Sequence, residues 1–405
     1  MEVKGQKKNL LDEIQILDLT DEKASFCSKL LADMGADVIK VERPGGDSSR
    51  KIGPFFGNSP HPERSLFFYY HNTNKRGITL NIEHPMGKEI FLRLINRADI
   101  VVETFSPGYL ENLKLSFEIL KETNPKLILV SVTGFGQKGP RSQYKSCDLV
   151  ASAFGGQMYV SGSPSGPPLK SIGEQSYYSA SLFAAISILL ALRKRVQGGK
   201  GEHIDISSQE AVAATLDHVM VRYFYDRIIP KRQGNLSWNH SSFTLPCKDG
   251  HIHLTISTGW ETLIEWIASE GMAEDLVDEK WKDEEYRLRN IDHVIDILQR
   301  WTQTHSSQEL FELGQSMRFP WAPVYSPEQV LESPQLKGRG FFIDVDHPEM
   351  GTSFKYPGIP YQLSSTSLGR WKRAPLIGED NVQIYQKELG FSDEELQRLS
   401  SLNVI

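Results

Sequence analysis

Short apolar strand patterns alternate with helix patterns along the first third of the chain, and this alternation constrains the fold most. The strand patterns lie at residues 13–19 (EIQILDL), 36–42 (ADVIKVE), 99–103 (DIVVE) and 127–132 (LILVSV), and helical periodicity occupies 21–34 and 85–98. Strands separated by helices at this spacing predict βαβ units and a mostly parallel sheet in an α/β fold. No GxGxxG follows the first strand pattern, so a bound dinucleotide is not indicated.

A long apolar helix pattern occupies the middle of the chain, from Ser179 to Arg195. Ala, Ile, Leu and Phe stand on almost every face, which predicts a buried helix. Ser176 or Ser179 is suited to be the N-cap, and the cations at 193–195 lie where the helix dipole favours positive charge. A helix N-terminus is a favourable place for an anion. The first turn, however, carries Tyr177 and no carboxylate.

Charge and cysteine content narrow the class of protein. The 405 residues have a net charge of −6 and a pI near 6.0, so nucleic acid is not indicated as a partner. Cys27, Cys147 and Cys247 form no CxxC pair, so we expect a reducing compartment, no disulfide framework and no metal site. The N-terminal segment lacks an apolar leader pattern, and no unbroken run of about 18 apolar residues occurs. We therefore expect a cytoplasmic protein without a membrane partner.

Residues 225–330 are predicted to form a second, smaller α+β domain, which follows a first part of the large domain at 1–224. A linker pattern at 228–234 precedes an exposed strand pattern at 248–256 (KDGHIHLTI). Residues 259–314 are helical in pattern and rich in Trp and charge. The chain is long enough for two separate apolar cores.

Six stretches carry a resemblance to a known family. They are 30–47 (LLADMGADVIKVERPGGD), 72–82 (NTNKRGITLNI), 131–140 (SVTGFGQKGP), 198–211 (GGKGEHIDISSQEA), 322–342 (APVYSPEQVLESPQLKGRGFF) and 374–380 (APLIGED). In this order they resemble the class III CoA-transferase family, which includes formyl-CoA transferase, carnitine CoA-transferase and the α-methylacyl-CoA racemases. The resemblance implies a Rossmann-like large domain built from both chain ends, with 331–405 returning to complete it, plus a small domain. It also implies an obligate dimer in which two subunits interlock like links of a chain.

The resemblance further implies a CoA thioester as substrate and no covalently bound cofactor. In this family an enzyme carboxylate attacks the thioester to give a mixed anhydride, which CoA opens to an enzyme-bound thioester. The family places this Asp at the start of the long helix, and an ungapped alignment from that helix to GGKGEHID puts Tyr177 at the nucleophile position. A phenol, with a reference pKa of about 10, cannot reproduce the anhydride exchange. The chain is therefore expected to have no catalytic residue of its own. Glu174 is the fallback nucleophile. The alternative interpretation is that Glu174 is a solvated loop residue without a role in the reaction.

Other family positions carry a mixture of matching and departing residues. Arg43 and Lys75 match positions near the CoA nucleotide, and Phe105 matches one that stacks on the adenine. The alternative interpretation is that Arg43 and Lys75 are surface charges and that Phe105 is a core residue. Asn112 stands where the family has an Arg that helps to hold the nucleotide, and the turn 22–26 (EKASF) stands where the family has A-G-P. These departures argue against tight CoA binding by this chain.

The racemase branch of the family is not indicated. By resemblance, its acid/base pair is a His that precedes an Asp, together with the Asp at the helix start, and these positions are Cys147 and Tyr177 here. No visible partner tunes either group toward neutral pH. Asp148, which follows Cys147, is interpreted as a turn or cap residue.

A chain that keeps the scaffold and lacks the nucleophile suggests a heteromeric assembly. One branch of the family, the benzylsuccinate CoA-transferases of anaerobic toluene degradation, is built from two related subunits, and this chain resembles the subunit without the nucleophile. The resemblance implies a paralogous partner that supplies the Asp, in an interlocked heterodimer or a dimer of dimers. It also implies the reaction of succinyl-CoA with (R)-2-benzylsuccinate. Two alternatives stay open: a self-sufficient homodimer that uses Glu174, and a CoA-binding regulatory homodimer without chemistry.

Overall fold

A fully parallel six-stranded sheet is the frame of the first structural unit in the computed structural model, which describes residues 9–366 and 371–405. Its strands are β1 (Gln15–Leu19), β2 (Asp37–Glu42), β3 (Arg76–Thr79), β4 (Ile100–Glu103), β5 (Ile128–Thr133) and β6 (His203–Ser207). Their order across the sheet is β3-β2-β1-β4-β5-β6. The chain reverses its direction of travel across the sheet between β1 and β4, and ligands of doubly wound sheets bind in the crevice at such a switch point. The predicted α/β fold with a parallel sheet is confirmed.

Helices connect the strands and continue through the rest of the described chain. In chain order they are α1 (Ser25–Asp33), α2 (Leu66–His71), α3 (Pro85–Ile95), α4 (Tyr109–Asn112), α5 (Phe117–Thr123), α6 (Asp148–Phe154), α7 (Gln157–Val160), α8 (Gln175–Val196), α9 (Ser208–Ala214), α10 (Asp217–Asp226), α11 (Trp260–Ser269), α12 (Glu284–Arg289), α13 (Ile291–Thr302), α14 (Ser307–Ser316), α15 (Pro327–Glu332), α16 (Pro334–Gly338) and α17 (Asp393–Ser401). A π-helical segment lies at Val382–Glu388.

Alternate residues of the parallel strands face two separate apolar cores. Leu17 and Val101 belong to the core that includes residues of α3, α5 and α17. Ile16 and Ile100 belong to the core that includes residues of α1, α8 and α9. Because side chains alternate between the two faces of a strand, this division shows that the sheet is covered on both sides.

Helix α8 belongs to the first unit. One side of the helix is buried against the rest of that unit, and the other side is exposed. Ala180, Ala184 and Ile188, which are four residues apart, are 0% exposed, whereas Leu182 and Ile186 are 48% and 54% exposed. The expectation of a helix buried on almost every face is therefore wrong for the single chain, because both sides of the helix are apolar and the sequence does not distinguish them. Among the described residues, α8 is the one helix that is long and apolar enough to cross a membrane, and 50% of that stretch is buried inside the protein.

The second structural unit consists of residues 159–169 and 229–339. It has an antiparallel sheet of β7 (Ser242–Pro246), β8 (His251–Thr255) and β9 (Ala322–Pro323), and its core includes the indoles at 260, 266, 281, 301 and 321. These bounds differ from the predicted ones, which set the limits at 225 and 330 and left 159–169 in the large domain. The reason is that the Arg232 guanidinium donates to the carbonyls of Tyr159 and Ser163, both at 3.2 Å, and so ties the two segments together.

The C-terminal residues return to the first unit, as the resemblance implied. Tyr385 and Leu399 lie in the same core as Leu17, and the Tyr385 hydroxyl donates to the Thr79 carbonyl at 2.6 Å. The hairpin of β10 (Phe342–His347) and β11 (Thr352–Pro357) also belongs to this unit. Residues 1–8, where no leader pattern is expected, and residues 367–370 lie outside the described residues.

Candidate functional site

A cavity of about 390 Å³ lies at the carboxyl ends of β1 to β4, at the switch point of the sheet. The ends of these strands and the residues that follow them contribute Leu19, Glu42, Leu80 and Thr104 to its wall. The volume falls within the range of small-molecule sites, roughly 300–1,000 Å³. The topology of the sheet therefore places a ligand-sized space where doubly wound folds bind their ligands.

Two of the three residues predicted to contact a CoA nucleotide, Arg43 and Phe105, line this cavity. The Arg43 guanidinium donates to the Glu83 carboxylate at 2.7 Å and to the Tyr109 hydroxyl oxygen at 3.0 Å, and the Tyr109 hydroxyl donates to the same carboxylate at 2.6 Å. The rings of Phe105 and Tyr109 have their centroids 4.4 Å apart, and Phe105 also packs against the apolar core. A guanidinium is suited to bind a phosphate, and the aromatic rings beside it are suited to stack on a base. The nucleotide contact itself stays a prediction.

The third predicted contact, Lys75, is placed differently. Its side chain is buried, and its ammonium donates to the Asp18 carboxylate at 2.8 Å, the Asn72 amide oxygen at 2.8 Å, the Ser28 hydroxyl at 2.9 Å and the Ser25 carbonyl at 3.0 Å. An ammonium has three protons, so these oxygens occupy its whole donor capacity. This placement does not support a nucleotide contact for Lys75, because the lysine instead serves as the counter-ion of a buried aspartate.

Asp18 is the centre of this buried ion cluster. Lys40 on β2 lies 3.8 Å from the Asp18 carboxylate and donates to the Thr20 carbonyl. Burial alone raises the pKa of Asp18, but the ammonium groups of Lys40 and Lys75 outweigh it and hold that pKa well below its usual range. The two lysines thereby fix the backbone on both sides of the turn between β1 and α1.

Helix α8 begins earlier than its apolar pattern. Its first residue is Gln175 and its N-cap is Glu174, whereas a serine at 176 or 179 was predicted. Ser176 instead donates its backbone N–H at 2.9 Å and its hydroxyl at 2.5 Å to the Asp148 carboxylate, which also pairs with Lys170 at 2.8 Å. Asp148 stands in the first turn of α6 and satisfies an N–H at the start of α8. Its interpretation as a cap residue agrees with these contacts.

Tyr177, which the resemblance places at the family's nucleophile position, is buried beside carboxyl groups. Its exposed fraction is 6%. Burial is the main cause that raises the pKa of its hydroxyl far above the usual range, and the negative charges of Glu22 and Asp21 add to the shift. The hydroxyl is therefore protonated at neutral pH. A protonated phenol is a hydrogen-bond donor and not an acyl acceptor of the kind that the anhydride exchange needs.

Glu174, the fallback nucleophile, is half-buried at the start of the same helix. Burial and the carboxylates of Asp148 and Glu22 outweigh the attraction of Lys170 and raise the pKa of Glu174 to about 6. A carboxyl group with this pKa is mostly ionised at pH 7, so its charge state permits nucleophilic attack. The same charge state fits a solvated loop residue.

Side chains fill the turn 22–26 that precedes α1. The Phe26 ring packs edge-to-face on Tyr178 with centroids 4.8 Å apart and stacks on Tyr70 at 6.4 Å. Lys23 forms an ion pair with Asp21. The turn thus brings an aromatic wall and charged groups to the helix start, where the family's A-G-P turn would bring neither. The two other departures, Cys147 and Asn112, are exposed, at the N-cap of α6 and at the end of α4.

Sequence reasoning missed a buried polar cluster at β4, β5 and β6. The Glu103 carboxylate accepts from the Phe105 N–H at 2.6 Å, and the Ser131 hydroxyl and His203 Nε2 lie 2.9 Å apart. Burial raises the pKa of Glu103 to about 7 in spite of hydrogen bonds from Ser131 and Phe105. A signal was available, since a charged residue ends the apolar pattern DIVVE. Glu103 supports the backbone of Phe105 and thereby the cavity wall.

The side chains at this site are of the kinds that bind organic ligands. Within residues 9–366 and 371–405, no three His, Cys, Asp or Glu side chains are grouped so that they could hold a metal ion. What the cavity and the helix start present is an arginine, aromatic rings and several carboxyl groups.

The class of protein follows from this frame and from its likeness to known proteins. The sequence profile of CoA-transferase family III matches residues 11–381. A solved structure of a CAIB/BAIF family protein from Brucella suis superimposes with a TM-score of 0.85 and is 30% identical, covering 94% of this chain and 100% of that one. The chain belongs to CoA-transferase family III.

Two characterised relatives match almost the whole chain. The BbsE subunit of succinyl-CoA:(R)-benzylsuccinate CoA-transferase from Thauera aromatica is 34% identical over 400 residues, which cover 96% of this chain and 97% of that protein. Succinyl-CoA:mesaconate CoA-transferase from Haloarcula hispanica is also 34% identical and covers 92% of this chain and 95% of its own length. The two relatives share succinyl-CoA in their names and differ in the second acid.

Proposed function

We propose that this chain is the non-catalytic subunit of a heteromeric CoA-transferase, in which a paralogous partner supplies the nucleophilic aspartate. One observation carries the proposal: the residue at the family's nucleophile position is Tyr177, whose hydroxyl is buried and has a raised pKa. The similarity to BbsE supports a heteromer, because that name belongs to one subunit of an enzyme. The same similarity supports succinyl-CoA and (R)-2-benzylsuccinate as the substrates of the assembly, which we place in the cytoplasm.

The proposed reaction needs one enzyme carboxylate, which the partner provides. This carboxylate attacks the carbonyl carbon of succinyl-CoA, the carbon–sulfur bond breaks, and CoA leaves as a thiolate while the enzyme carboxylate and the succinyl group form a mixed anhydride. The thiolate then attacks the enzyme's own acyl carbon, which releases succinate and leaves an enzyme–CoA thioester. The carboxylate of benzylsuccinate attacks that thioester, and the released CoA thiolate attacks the benzylsuccinyl carbon of the new anhydride. The product leaves and the enzyme carboxylate is free again.

The proposed role of this chain is to complete the partner's fold and to shield the anhydride from water. The exposed side of α8 supplies an apolar surface for this purpose, formed by Leu182, Phe183, Ile186 and Leu190. Exposed apolar patches of this kind mark interaction surfaces in soluble proteins. The buried Asp18 cluster keeps the neighbouring turn in place without any ligand.

A second candidate function rests on Glu174. This residue is a half-buried carboxyl group beside Tyr177, and its pKa of about 6 leaves it ionised at neutral pH. In this alternative the chain is a self-sufficient homodimer, and Glu174 performs the anhydride chemistry that the family assigns to its aspartate.

The experiment that separates the two functions is covalent trapping. The chain is purified alone and together with a paralogue from the same genome that carries aspartate at the position equivalent to Tyr177. Each preparation is incubated with succinyl-CoA and quenched in acid, and the intact mass of every chain is measured. We expect a CoA adduct on the partner and none on this chain.

Two variants make the result decisive. Glu174→Gln removes the fallback nucleophile, and Glu118→Gln changes a glutamate that is 79% exposed and serves as the matched control. Under the proposal neither substitution alters the adduct on the partner. An adduct on this chain that is lost in Glu174→Gln and kept in Glu118→Gln would establish the alternative.

A further inference from the structure

Three side chains form a closed triangle at the exposed mouth of the cavity. Arg43 follows β2, Glu83 follows β3 and Tyr109 begins α4, and all three line the cavity. The Glu83 carboxylate accepts from Arg43 at 2.7 Å and from Tyr109 at 2.6 Å. The side chains of Arg43 and Glu83 are 64% and 48% exposed. We call this triangle the Arg43 latch.

With the latch closed, the charged groups of the cavity wall are mostly paired and offer no net positive charge to an anion. The charged residues of this wall are Asp21, Glu42, Asp47, Glu83, Arg43 and Lys51. The buried Arg50 neutralises Glu42 from 2.6 Å away, Lys23 pairs with Asp21, and Glu83 neutralises Arg43. Asp47 and Lys51 then balance each other, so a phosphate that enters this space meets no net positive charge and no free guanidinium.

The latch nevertheless has the parts of a nucleotide site. The rings of Phe105 and Tyr109, tilted by 32° to each other, present an aromatic face, and Arg43 presents the fork geometry that suits phosphate oxygens. The Tyr109 hydrogen bond and the charge of Arg43 lower the pKa of Glu83, so this carboxylate is ionised at neutral pH. Exposed ion pairs are weak, and a ligand phosphate is therefore able to displace the carboxylate.

We infer that Glu83 is an internal anion that competes with a ligand phosphate for Arg43, so that an adenine nucleotide of the CoA type enters the cavity only when the latch opens. The choice of CoA as the nucleotide rests on the proposed function. Glu83 and Tyr109 thus set the affinity of this chain for the nucleotide without taking part in acyl transfer.

The test compares ligand affinities of the full-length chain and its variants by isothermal titration calorimetry at low salt. The probes are CoA and adenosine, which share the adenosine group, whereas the phosphates and the pantetheine arm are present only in CoA. Glu83→Gln keeps the shape and removes the competing charge, and Tyr109→Phe keeps the ring and removes the hydroxyl. Glu285→Gln is the matched control, because Glu285 also pairs with an exposed arginine, Arg289, and neither residue lines the cavity.

Glu83→Gln is expected to bind CoA about threefold to fivefold more tightly than the wild type, and Tyr109→Phe about twofold. The gain should shrink as salt screens the charges, and it should be absent for adenosine and in Glu285→Gln. Adding Arg43→Gln to Glu83→Gln should abolish it.

Several results would overturn the inference. They are an unchanged or weaker CoA affinity in Glu83→Gln, a gain of equal size for adenosine, a gain that persists without Arg43, and a lack of CoA binding by every variant. A covalent adduct on Glu174 in the trapping experiment would instead overturn the proposed function, and these affinity ratios would still decide the role of Glu83.

Discussion

Replacing Tyr177 by aspartate tests whether the pocket still accepts the charge that the family's chemistry needs. Tyr177→Asp introduces a carboxyl group beside Glu22, Asp21 and Glu174, and Tyr177→Asn introduces a neutral group of the same size. Both variants lose the same ring contacts. The difference in unfolding free energy between them therefore isolates the effect of the negative charge.

The neighbouring Glu174 provides the magnitude. In the same surroundings its pKa rises from 4.5 to about 6, which corresponds to about 2 kcal/mol at about 1.4 kcal/mol per pKa unit. Solvent screening reduces this value for a half-exposed group, whereas position 177 is only 6% exposed. The start of α8 works in the opposite direction, since a helix N-terminus favours an anion by about 0.3–1 kcal/mol. We expect the aspartate variant to be less stable than the asparagine variant by about 1–2 kcal/mol at pH 8.

The pH dependence shows whether the ionised carboxylate lowers the unfolding free energy. A carboxyl group whose pKa is raised by folding binds its proton more tightly in the native state, so its penalty appears as the pH rises through the window between the unfolded and the folded pKa. The two variants should be equally stable at pH 4 and diverge between about pH 4 and pH 7, as measured by urea unfolding. Equal stability at pH 8 would refute the reasoning, because it would show that the pocket tolerates an ionised carboxylate.

Three further predictions concern the frame of the site. Asp18→Asn leaves two buried lysines without their counter-ion and should lower the unfolding free energy by about 3–5 kcal/mol, whereas the exposed control Asp344→Asn should change it by about 1 kcal/mol or less; both are measured by urea unfolding. Burial raises the pKa of Glu103 from 4.5 to about 7, so the unfolding free energy of the wild type should fall by roughly 3 kcal/mol relative to that of Glu103→Gln as the pH rises through this window; a variant with the same pH dependence as the wild type would contradict this. Gly87→Ala places a Cβ 1.9 Å from a backbone oxygen and should destabilise by about 1–3 kcal/mol, whereas Gly338→Ala, with nothing within 4 Å, should not lower the melting temperature.

The strand patterns that were recognised in the sequence belong to the centre of the sheet. The patterns at 13–19, 36–42, 99–103 and 127–132 correspond to β1, β2, β4 and β5, whose residues are almost all buried. Parallel strands that are covered on both faces are continuously apolar and therefore easy to recognise. The two strands without such a pattern, β3 and β6, lie at the edges. They are four and five residues long and carry polar side chains such as Arg76 and Asp205, so periodicity does not reveal them.

Site residues could be predicted from the sequence where a family motif marks their position. Contacts between segments that are far apart in the chain could not be predicted. Arg43 was found from its place in the stretch 30–47 and Phe105 from the family resemblance, and both line the cavity. The contacts of Arg43 with Glu83 and Tyr109 join residues that are 40 and 66 positions apart, and no local pattern encodes such a contact. Lys75 was misleading for the same reason, because its partner Asp18 is 57 positions away.

The structure divides the family's chemistry into two regions that differ in what they can still do. Around Tyr177, burial and the carboxyl groups of Glu22 and Glu174 oppose any new negative charge. Acyl transfer places a negative charge there at two separate stages, first on the nucleophile and later on the incoming acid, and the pocket disfavours the charge at both. At the cavity mouth, by contrast, one exposed carboxylate stands between Arg43 and a phosphate. This contrast predicts that Glu83→Gln raises the affinity of this chain for the nucleotide, whereas Tyr177→Asp forms no CoA adduct when it is put through the trapping experiment.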